Sequence, residues 1–255
     1  MSDVISAGTV FIGRSLRHSA RDVESLVMSV TLPVMLMLLF TYVFEGAVAG
    51  DPAAYAAYVV PGTVLLCAGF GAATTAVGVA NDLAGGMVDR LRRMPVPAWT
   101  LLVGHVVASL VRNLVATAIV LGVGVLLGFR PTAGLLGWIG AISVIAAWVL
   151  AVTAVFALIG LLSGSPEAAN GYGFIVLFLP YVSSAFVPVD TLPTWMRGFA
   201  EHQPVTPVIE SVRAMLGGRA PGADLWWALG WSLGLLVVAT ALTAYVFPRR
   251  RSRAA

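Results

Sequence analysis

The sequence contains no lysine, because all 15 of its basic residues are arginine. Charged residues of both signs are scarce as well: they make up 11% of the chain, whereas a soluble domain usually carries about 25%. The missing lysine excludes a phosphate-binding loop of the Walker type, which needs a lysine after its glycines, and it excludes a Schiff-base lysine. We therefore expect no ATPase site on this chain.

Cysteine and histidine are also rare. The single cysteine, Cys67, lies in an apolar run, so a disulfide within the chain is impossible. His18, His105 and His202 are far apart in sequence, and the close ligand spacing of a usual metal site is missing. We predict no catalytic residue, no metal site and no bound cofactor on this chain.

Apolar residues, by contrast, make up 59% of the 255 residues, and the mean hydropathy is +0.92. This composition predicts an all-α integral membrane protein. Apolar runs about as long as the hydrocarbon core of a bilayer, the third of them interrupted by Arg112, predict six transmembrane helices. Their predicted bounds are 25–44, 58–80, 99–129, 135–162, 168–187 and 225–247. Pro180 predicts a kink in the fifth of these spans.

Two further segments are amphipathic. Residues 1–24 alternate apolar residues with arginines, which predicts a helix lying in the headgroup region against anionic lipid. Residues 188–224 carry two apolar stripes at helical spacing, which predict two short helices that dip into the outer leaflet or pack on the bundle. The stripes are Leu192, Trp195, Met196 and Phe199, then Val205, Val208, Ile209, Val212 and Leu216. Thr206 is the expected cap of the second helix, and Gly217-Gly218 its expected end.

The arginines predict the orientation. With both termini in the cytoplasm, the inner face carries 10 arginines and the outer face four, while Arg112 lies in the membrane. The charged segment 81–98, NDLAGGMVDRLRRMPVPA, is then a cytoplasmic hairpin between spans two and three. Its residues alone fit two hypotheses equally well: a docking surface for a soluble partner, or a solvated loop that sets the orientation.

Four strings taken together resemble the ABC-2 family of ATP-binding-cassette transporter permeases, close to its daunorubicin/doxorubicin-resistance branch. They are SLVMSVTLPVMLMLLFTYVFEGAV, YVVPGTVLL, the hairpin NDLAGGMVDRLRRMPVPAWTLLVGHVVASLVRNL, and AFVPVDTLPTWMRGFAEHQPVTPVIESVRAMLGG. They occur in the order of the family and cover nearly the whole chain. The resemblance implies a multi-pass permease subunit of an exporter in the cell membrane, one that moves a drug-like or lipid-like amphiphile and confers antibiotic resistance.

The resemblance also implies partners. Two permease chains would pair, as a homodimer or with a sister chain, and two copies of a cytoplasmic ABC ATPase subunit would bind ATP and Mg²⁺. Membrane lipid is a further expected partner, and nucleic acid is not. The hairpin corresponds to the family's coupling element. Its implied ATPase-coupling residues are Asp82, Gly86, Asp89, Arg90, Leu91, Arg92, Arg93, Met94 and Pro95.

Within the spans, His105, Ser109 and Arg112 share one helical face of the third span. Arg112 has two possible roles: it holds spans together through neighbouring carbonyls, or it lines the cargo path. The alternatives to a permease are an intramembrane lipid-processing enzyme and a lone carrier. An intramembrane enzyme needs paired polar groups at similar depth, and we expect no intramembrane acid beside these three residues.

Overall fold

The computed structural model describes residues 23–44, 52–87 and 100–249. Within these ranges the chain forms eight α-helices and no strand. They are α1 (Val23–Phe44), α2 (Pro52–Ala84), α3 (Thr100–Leu126), α4 (Leu135–Leu162), α5 (Pro166–Leu177), α6 (Thr194–His202), α7 (Val205–Leu216) and α8 (Asp224–Val246). Short 3₁₀ turns occupy Leu179–Val182, Val189–Thr191 and Phe247–Arg249.

Four of the described helices, α2, α3, α4 and α8, are long and apolar enough to cross a membrane. The described part of α1 holds a shorter apolar segment, Ser29–Val43. Many large apolar side chains of α8 are exposed, among them Trp226, Trp227 and Leu233. Such exposure is expected where helices face lipid or another chain rather than water. The helices therefore belong to an integral membrane protein.

Helix α2 is the centre of the bundle, because it packs against α1, α3, α4, α5 and α7. Small residues allow the close approach of its neighbours. A side chain at Gly160 of α4 would place its first carbon 2.3 Å from the Ala76 carbonyl oxygen of α2. A side chain at Gly62 of α2 would lie 2.6 Å from the backbone of Ala185. The position of α2 is thus fixed by backbone contact on several sides.

The bundle has two ends. At one end the last turns of α2, α4 and α8 meet the start of α3, where Val79, Leu101, Leu161 and Phe247 share a small apolar core. We call this the hairpin end, because α2 leads into the predicted hairpin there and α3 leads out of it. At the other end, the helix-pair end, the Thr132 N–H before α4 donates to the Leu216 carbonyl of α7 (3.1 Å).

The predicted fifth span is not one continuous helix, and the expectation of a kinked helix over 168–187 is wrong. Helix α5 ends at Leu177, and the chain continues as the 3₁₀ turn Leu179–Val182. Pro180 lacks an N–H and cannot continue the α-helical ladder, so tighter bonds such as Tyr181 N–H to the Phe178 carbonyl (3.1 Å) replace it. The segment still runs from the hairpin end, where α4 ends, to the helix-pair end.

Two short helices, α6 and α7, fill the segment in which two apolar stripes predict them. The stripe of α7 is buried, from Val205 to Leu216, against α2, α4 and α8. The stripe of α6 remains largely open, since Trp195 is 80% and Phe199 55% exposed. The two stripes therefore differ in their surroundings although their spacing is alike.

The capping prediction for α7 is wrong. Thr206 lies inside the helix, and its hydroxyl donates to the Ala200 carbonyl (2.5 Å). The first N–H of α7, that of Val205, donates instead to the buried Gln203 side chain (3.1 Å). The C-terminal prediction is confirmed: Gly217 caps α7, and Gly218 takes a positive φ of 69° that favours glycine.

The predicted interfacial helix 1–24 lies almost wholly outside the described residues, as does most of the hairpin. The described part shows that α2 continues to Ala84, so the first four residues of the predicted hairpin are helical. A turn at Gly85-Gly86 then ends α2, with a φ of 67° at Gly86.

Candidate functional site

Polar side chains of α3 recur every fourth residue and face α2 and α4. His105, Ser109 and Asn113 occupy this spacing, and Arg112 stands beside them. Together with their hydrogen-bonding partners they form a row that we call the polar seam. Its partners are Gly71, Thr74 and Asp82 of α2 and Thr153 of α4.

The seam begins at the hairpin end with a contact between α2 and α3. The His105 Nε2–H donates to Asp82 Oδ2 over 2.7 Å. Both side chains are partly open to solvent, at 22% and 23% exposure. Gly78 of α2 leaves room for the imidazole, because a side chain there would begin 3.2 Å from His105 Cε1. The geometry thus places an acid against the first polar residue of the seam.

One turn further along α3, the seam is buried. The hydroxyls of Ser109 and Thr153 lie 3.1 Å apart and join α3 to α4. The Asn113 side-chain amide donates to the Ser109 carbonyl (2.9 Å) and hydroxyl (3.2 Å). Gly71 of α2 fits tightly over this amide, since a side chain at Gly71 would begin 2.1 Å from Asn113 Oδ1. These contacts join α3 to α4 by hydrogen bonds and pack α3 tightly against α2.

Arg112 reaches across to the backbone of α2. Its Nη2 donates to the Gly71 carbonyl (2.9 Å) and to the Thr74 hydroxyl (2.6 Å). The Thr74 hydroxyl donates in turn to the same Gly71 carbonyl (2.8 Å). The guanidinium therefore bridges α3 and α2 through a carbonyl, which is the arrangement that a packing role requires.

A second polar group, the Arg213 cluster, lies at the helix-pair end and consists of Arg213, Glu210, Tyr58 and Ser184. The Arg213 side chain is 10% exposed and donates through Nη2 to the carbonyls of Tyr58 (2.9 Å) and Ser184 (2.7 Å). Its Nη1 pairs with the Glu210 carboxylate, and its guanidinium lies 3.9 Å from the centre of the Tyr58 ring. One arginine thus joins α7, α2 and the segment after the 3₁₀ turn.

Residues 8–216 match the family described as ABC-2 type transporter. The chain belongs to this family. A daunorubicin resistance ABC transporter permease protein of Streptomyces coeruleorubidus is 29% identical over 249 residues, which cover 97% of this chain and 88% of the relative. A probable doxorubicin resistance ABC transporter permease protein of Mycobacterium tuberculosis (strain ATCC 25618 / H37Rv) is 28% identical over 239 residues, covering 92% of this chain and 86% of the relative.

The match confirms the resemblance drawn from the four strings, and the relatives are transport subunits. In this ABC-2 chain the residues predicted to couple to an ATPase divide into two groups. Asp82 and Gly86 lie in the described part, at the end of α2 and in the turn that follows it. The others lie outside the described residues, and they are Asp89, Arg90, Leu91, Arg92, Arg93, Met94 and Pro95.

The three predicted seam residues do lie on α3 of this ABC-2 transporter, but they bond to other helices. One acid of the predicted hairpin does reach them, because Asp82 contacts His105. Sequence reasoning placed Asp82 in the hairpin, whereas α2 extends far enough to bring it back against α3. It also missed Asn113 and Thr153. The spacing of Asn113 four residues after Ser109 was a usable signal, whereas Thr153 lies on another helix and gave none.

The sequence presents Arg213 only as one of the four arginines of the predicted outer face. Its position three residues after Glu210 indicated a possible pair on a helix surface. Nothing local indicated its bonds to Tyr58 and Ser184, which are 155 and 29 residues away in sequence. Such long-range contacts form only when α7 packs on α2.

Proposed function

We propose that this chain is the membrane-spanning permease of an ABC exporter. It moves a drug-like or lipid-like amphiphile out of the cell, driven by ATP that a separate subunit binds with Mg²⁺ and hydrolyses. The observation that carries the proposal is the ABC-2 family match over residues 8–216, together with permease relatives that cover nearly the whole chain. The absence of lysine agrees with an ATPase site on another polypeptide.

The proposed transporter contains two permease chains and two ATPase subunits in the cell membrane, with both permease termini in the cytoplasm. The chain crosses the membrane six times, α5 and its 3₁₀ turn together forming the fifth crossing. The arrangement of the bundle supports this topology, because α8 ends at the hairpin end. Helix α1 begins there too, because its other end lies at the helix-pair end. There the Phe40 ring stacks on the Phe186 ring, and the two ring centres are 4.5 Å apart.

Labelling of single cysteines in a Cys67→Ala background tests the topology. An impermeant reagent applied to intact cells should label Ala220→Cys, an exposed position at the helix-pair end, and should leave Arg253→Cys unlabelled. Labelling of Arg253→Cys from outside would reverse the proposed orientation.

The hairpin is the proposed docking element for the ATPase. Asp89, Arg90, Arg92 and Arg93 would make charged contacts, with Leu91 and Met94 as apolar anchors. Charge-assisted contacts at a buried interface are individually strong, so a reversal of charge should weaken docking markedly. Leu91→Asp and Arg90→Glu should each abolish binding of the ATPase or transport, while the permease still inserts and folds.

The test is purification of the full-length, affinity-tagged chain from its native membrane in a mild detergent. Wild type should retain an ABC ATPase subunit and hydrolyse Mg-ATP. Asp190→Ala, an exposed acid at the helix-pair end, serves as the matched control and should retain the subunit. If wild type holds no ATPase, the exporter proposal fails. If both hairpin variants transport normally, the docking assignment fails.

A further inference from the structure

The base of the hairpin is closed by one polar contact between its two stems. Asp82 lies two residues before the end of α2, and His105 lies in the second turn of α3. Their 2.7 Å hydrogen bond therefore joins the helix that enters the hairpin to the helix that leaves it. Any separation of these two helix segments therefore acts directly on this contact.

The pair is connected to the rest of the seam. His105 precedes Ser109 by one helical turn, and Ser109 bonds to Thr153 of α4. Arg112, about one further turn along α3, bonds to Gly71 and Thr74 of α2. A displacement at His105 thus reaches contacts with both α2 and α4 within about two turns of α3.

The exposure of the pair separates it from the buried seam. Asp82 and His105 are 23% and 22% exposed, while Ser109 and Asn113 are almost fully buried. Partly exposed groups can exchange a bond to each other for bonds to water at low cost, which buried groups cannot. Gly78 beneath the imidazole allows its close approach to α2, since a side chain there would begin 3.2 Å from His105 Cε1.

We propose that Asp82 and His105 form a clasp that transmits hairpin movement to the transmembrane helices. The inference rests on the proposed function and deepens it. It assigns Asp82 to a contact within the permease rather than to the ATPase surface. Both residues are positioning residues: they hold the hairpin stems in register, so that ATP-driven movement of the docked subunit turns α2 and α3 together.

The experiment uses the full chain with the ATPase subunit that purifies with it, reconstituted in vesicles of Escherichia coli polar lipid. Four permease variants and the control Asp190→Ala are compared with wild type. The four are Asp82→Ala, His105→Ala, the exchange Asp82→His with His105→Asp, and the milder Asp82→Asn. The readouts are the ATPase bound per permease, the stimulation of Mg-ATP hydrolysis by the permease over the isolated subunit, and thermal stability of the permease alone.

Both alanine variants should bind the ATPase at the wild-type ratio but lose permease-dependent stimulation by about fivefold or more. The exchange variant should regain most of the lost stimulation, because it restores an acid–imidazole contact with the imidazole on α2 and the acid on α3. Asp82→Asn keeps an acceptor of the same size and should fall between wild type and Asp82→Ala. Asp190→Ala should match wild type in every readout.

Three outcomes would overturn the clasp. Loss of ATPase binding in Asp82→Ala alone would assign that carboxylate to the ATPase surface. Wild-type stimulation in both alanine variants would remove any coupling role. The pair would be only a structural contact if the loss of stimulation paralleled a loss of thermal stability. In that case neither the exchange variant nor Asp82→Asn would restore the stimulation of Mg-ATP hydrolysis. Failure of the wild-type chain to hold any ATPase would instead defeat the proposed function.

Discussion

The two ends of α2 are joined to the rest of the chain by different kinds of contact. At the helix-pair end, the nearly buried Arg213 donates to two backbone carbonyls, pairs with Glu210 and stacks on Tyr58. At the hairpin end, Asp82 and His105 share one hydrogen bond and are both about one-fifth exposed. Among the described residues, the Arg213 guanidinium has several partners at one end, whereas the Asp82 carboxylate has one at the other.

This difference sets the cost of breaking the polar contacts at each end. A buried guanidinium that loses its partners is left with an uncompensated charge, which is costly. A hydrogen bond between partly exposed groups is replaced by water at much lower cost. We therefore expect the polar contacts of the helix-pair end, which we call the fixed end of α2, to be harder to break than those of the hairpin end. Three predictions test the comparison.

The largest effect is expected for Arg213→Met at the fixed end. The change removes the guanidinium from the Tyr58 and Ser184 carbonyls and leaves both without this donor. We expect a loss of roughly 3 kcal/mol in stability, because hydrogen bonds from a charged group are worth about 1.5–3 kcal/mol. Thermal unfolding of the purified complex in detergent measures it.

Arg219→Met is the matched control, because Arg219 lies six residues on and is exposed. It should change the melting temperature little, as exposed substitutions usually do. Equal losses in the two variants would mean that the Arg213 cluster does not fix the helix-pair end.

A smaller effect is expected for Arg112→Gln in the seam. Glutamine keeps hydrogen-bonding groups but is shorter and uncharged, so its reach to the Gly71 carbonyl and the Thr74 hydroxyl is impaired. If Arg112 holds α2 and α3 together, stability should fall by about 1–2 kcal/mol while cargo preference stays unchanged. Thermal unfolding and cargo-stimulated ATP hydrolysis with anionic and cationic amphiphiles are the two measurements.

Arg130→Gln, at the far end of α3, is the control, because Arg130 is exposed and bonds only to nearby carbonyls of Val125 and Phe129 in the described structure. If Arg112→Gln changes the preference between anionic and cationic cargoes while stability is unchanged, the cargo-path role is favoured. No change in either measurement would contradict both roles.

The smallest effect is expected for Tyr55→Phe. The Tyr55 hydroxyl donates to the Phe186 carbonyl over 2.9 Å and links α2 to the segment that follows the 3₁₀ turn. Its loss should cost about 1 kcal/mol, the usual net value of one neutral hydrogen bond. Tyr172→Phe, at an exposed ring on α5, should be neutral in the same unfolding assay. A cost equal to that of Arg213→Met would show that the fixed end does not depend on the arginine.

The sequence by itself determined the class of the protein and much of its local structure. Long apolar runs require helices in a membrane, because backbone N–H and C=O groups in hydrocarbon must be hydrogen-bonded within the protein. Helices α2, α3, α4 and α8 follow from that rule. The stripes of α6 and α7 and the glycines after Leu216 are local signals of the same kind. The family strings added the permease assignment, which the comparisons confirm.

Only the tertiary structure decided which helices meet, because the apolar runs are alike and carry no record of their neighbours. It alone distinguishes the buried stripe of α7 from the open stripe of α6. It ended α5 at Leu177 and packed the following 3₁₀ turn against α2, where the sequence predicts one helix kinked at Pro180. It also brought Asp82 to His105 and Arg213 to Tyr58, since contacts between distant segments depend on the packed positions of whole helices rather than on spacing along one of them.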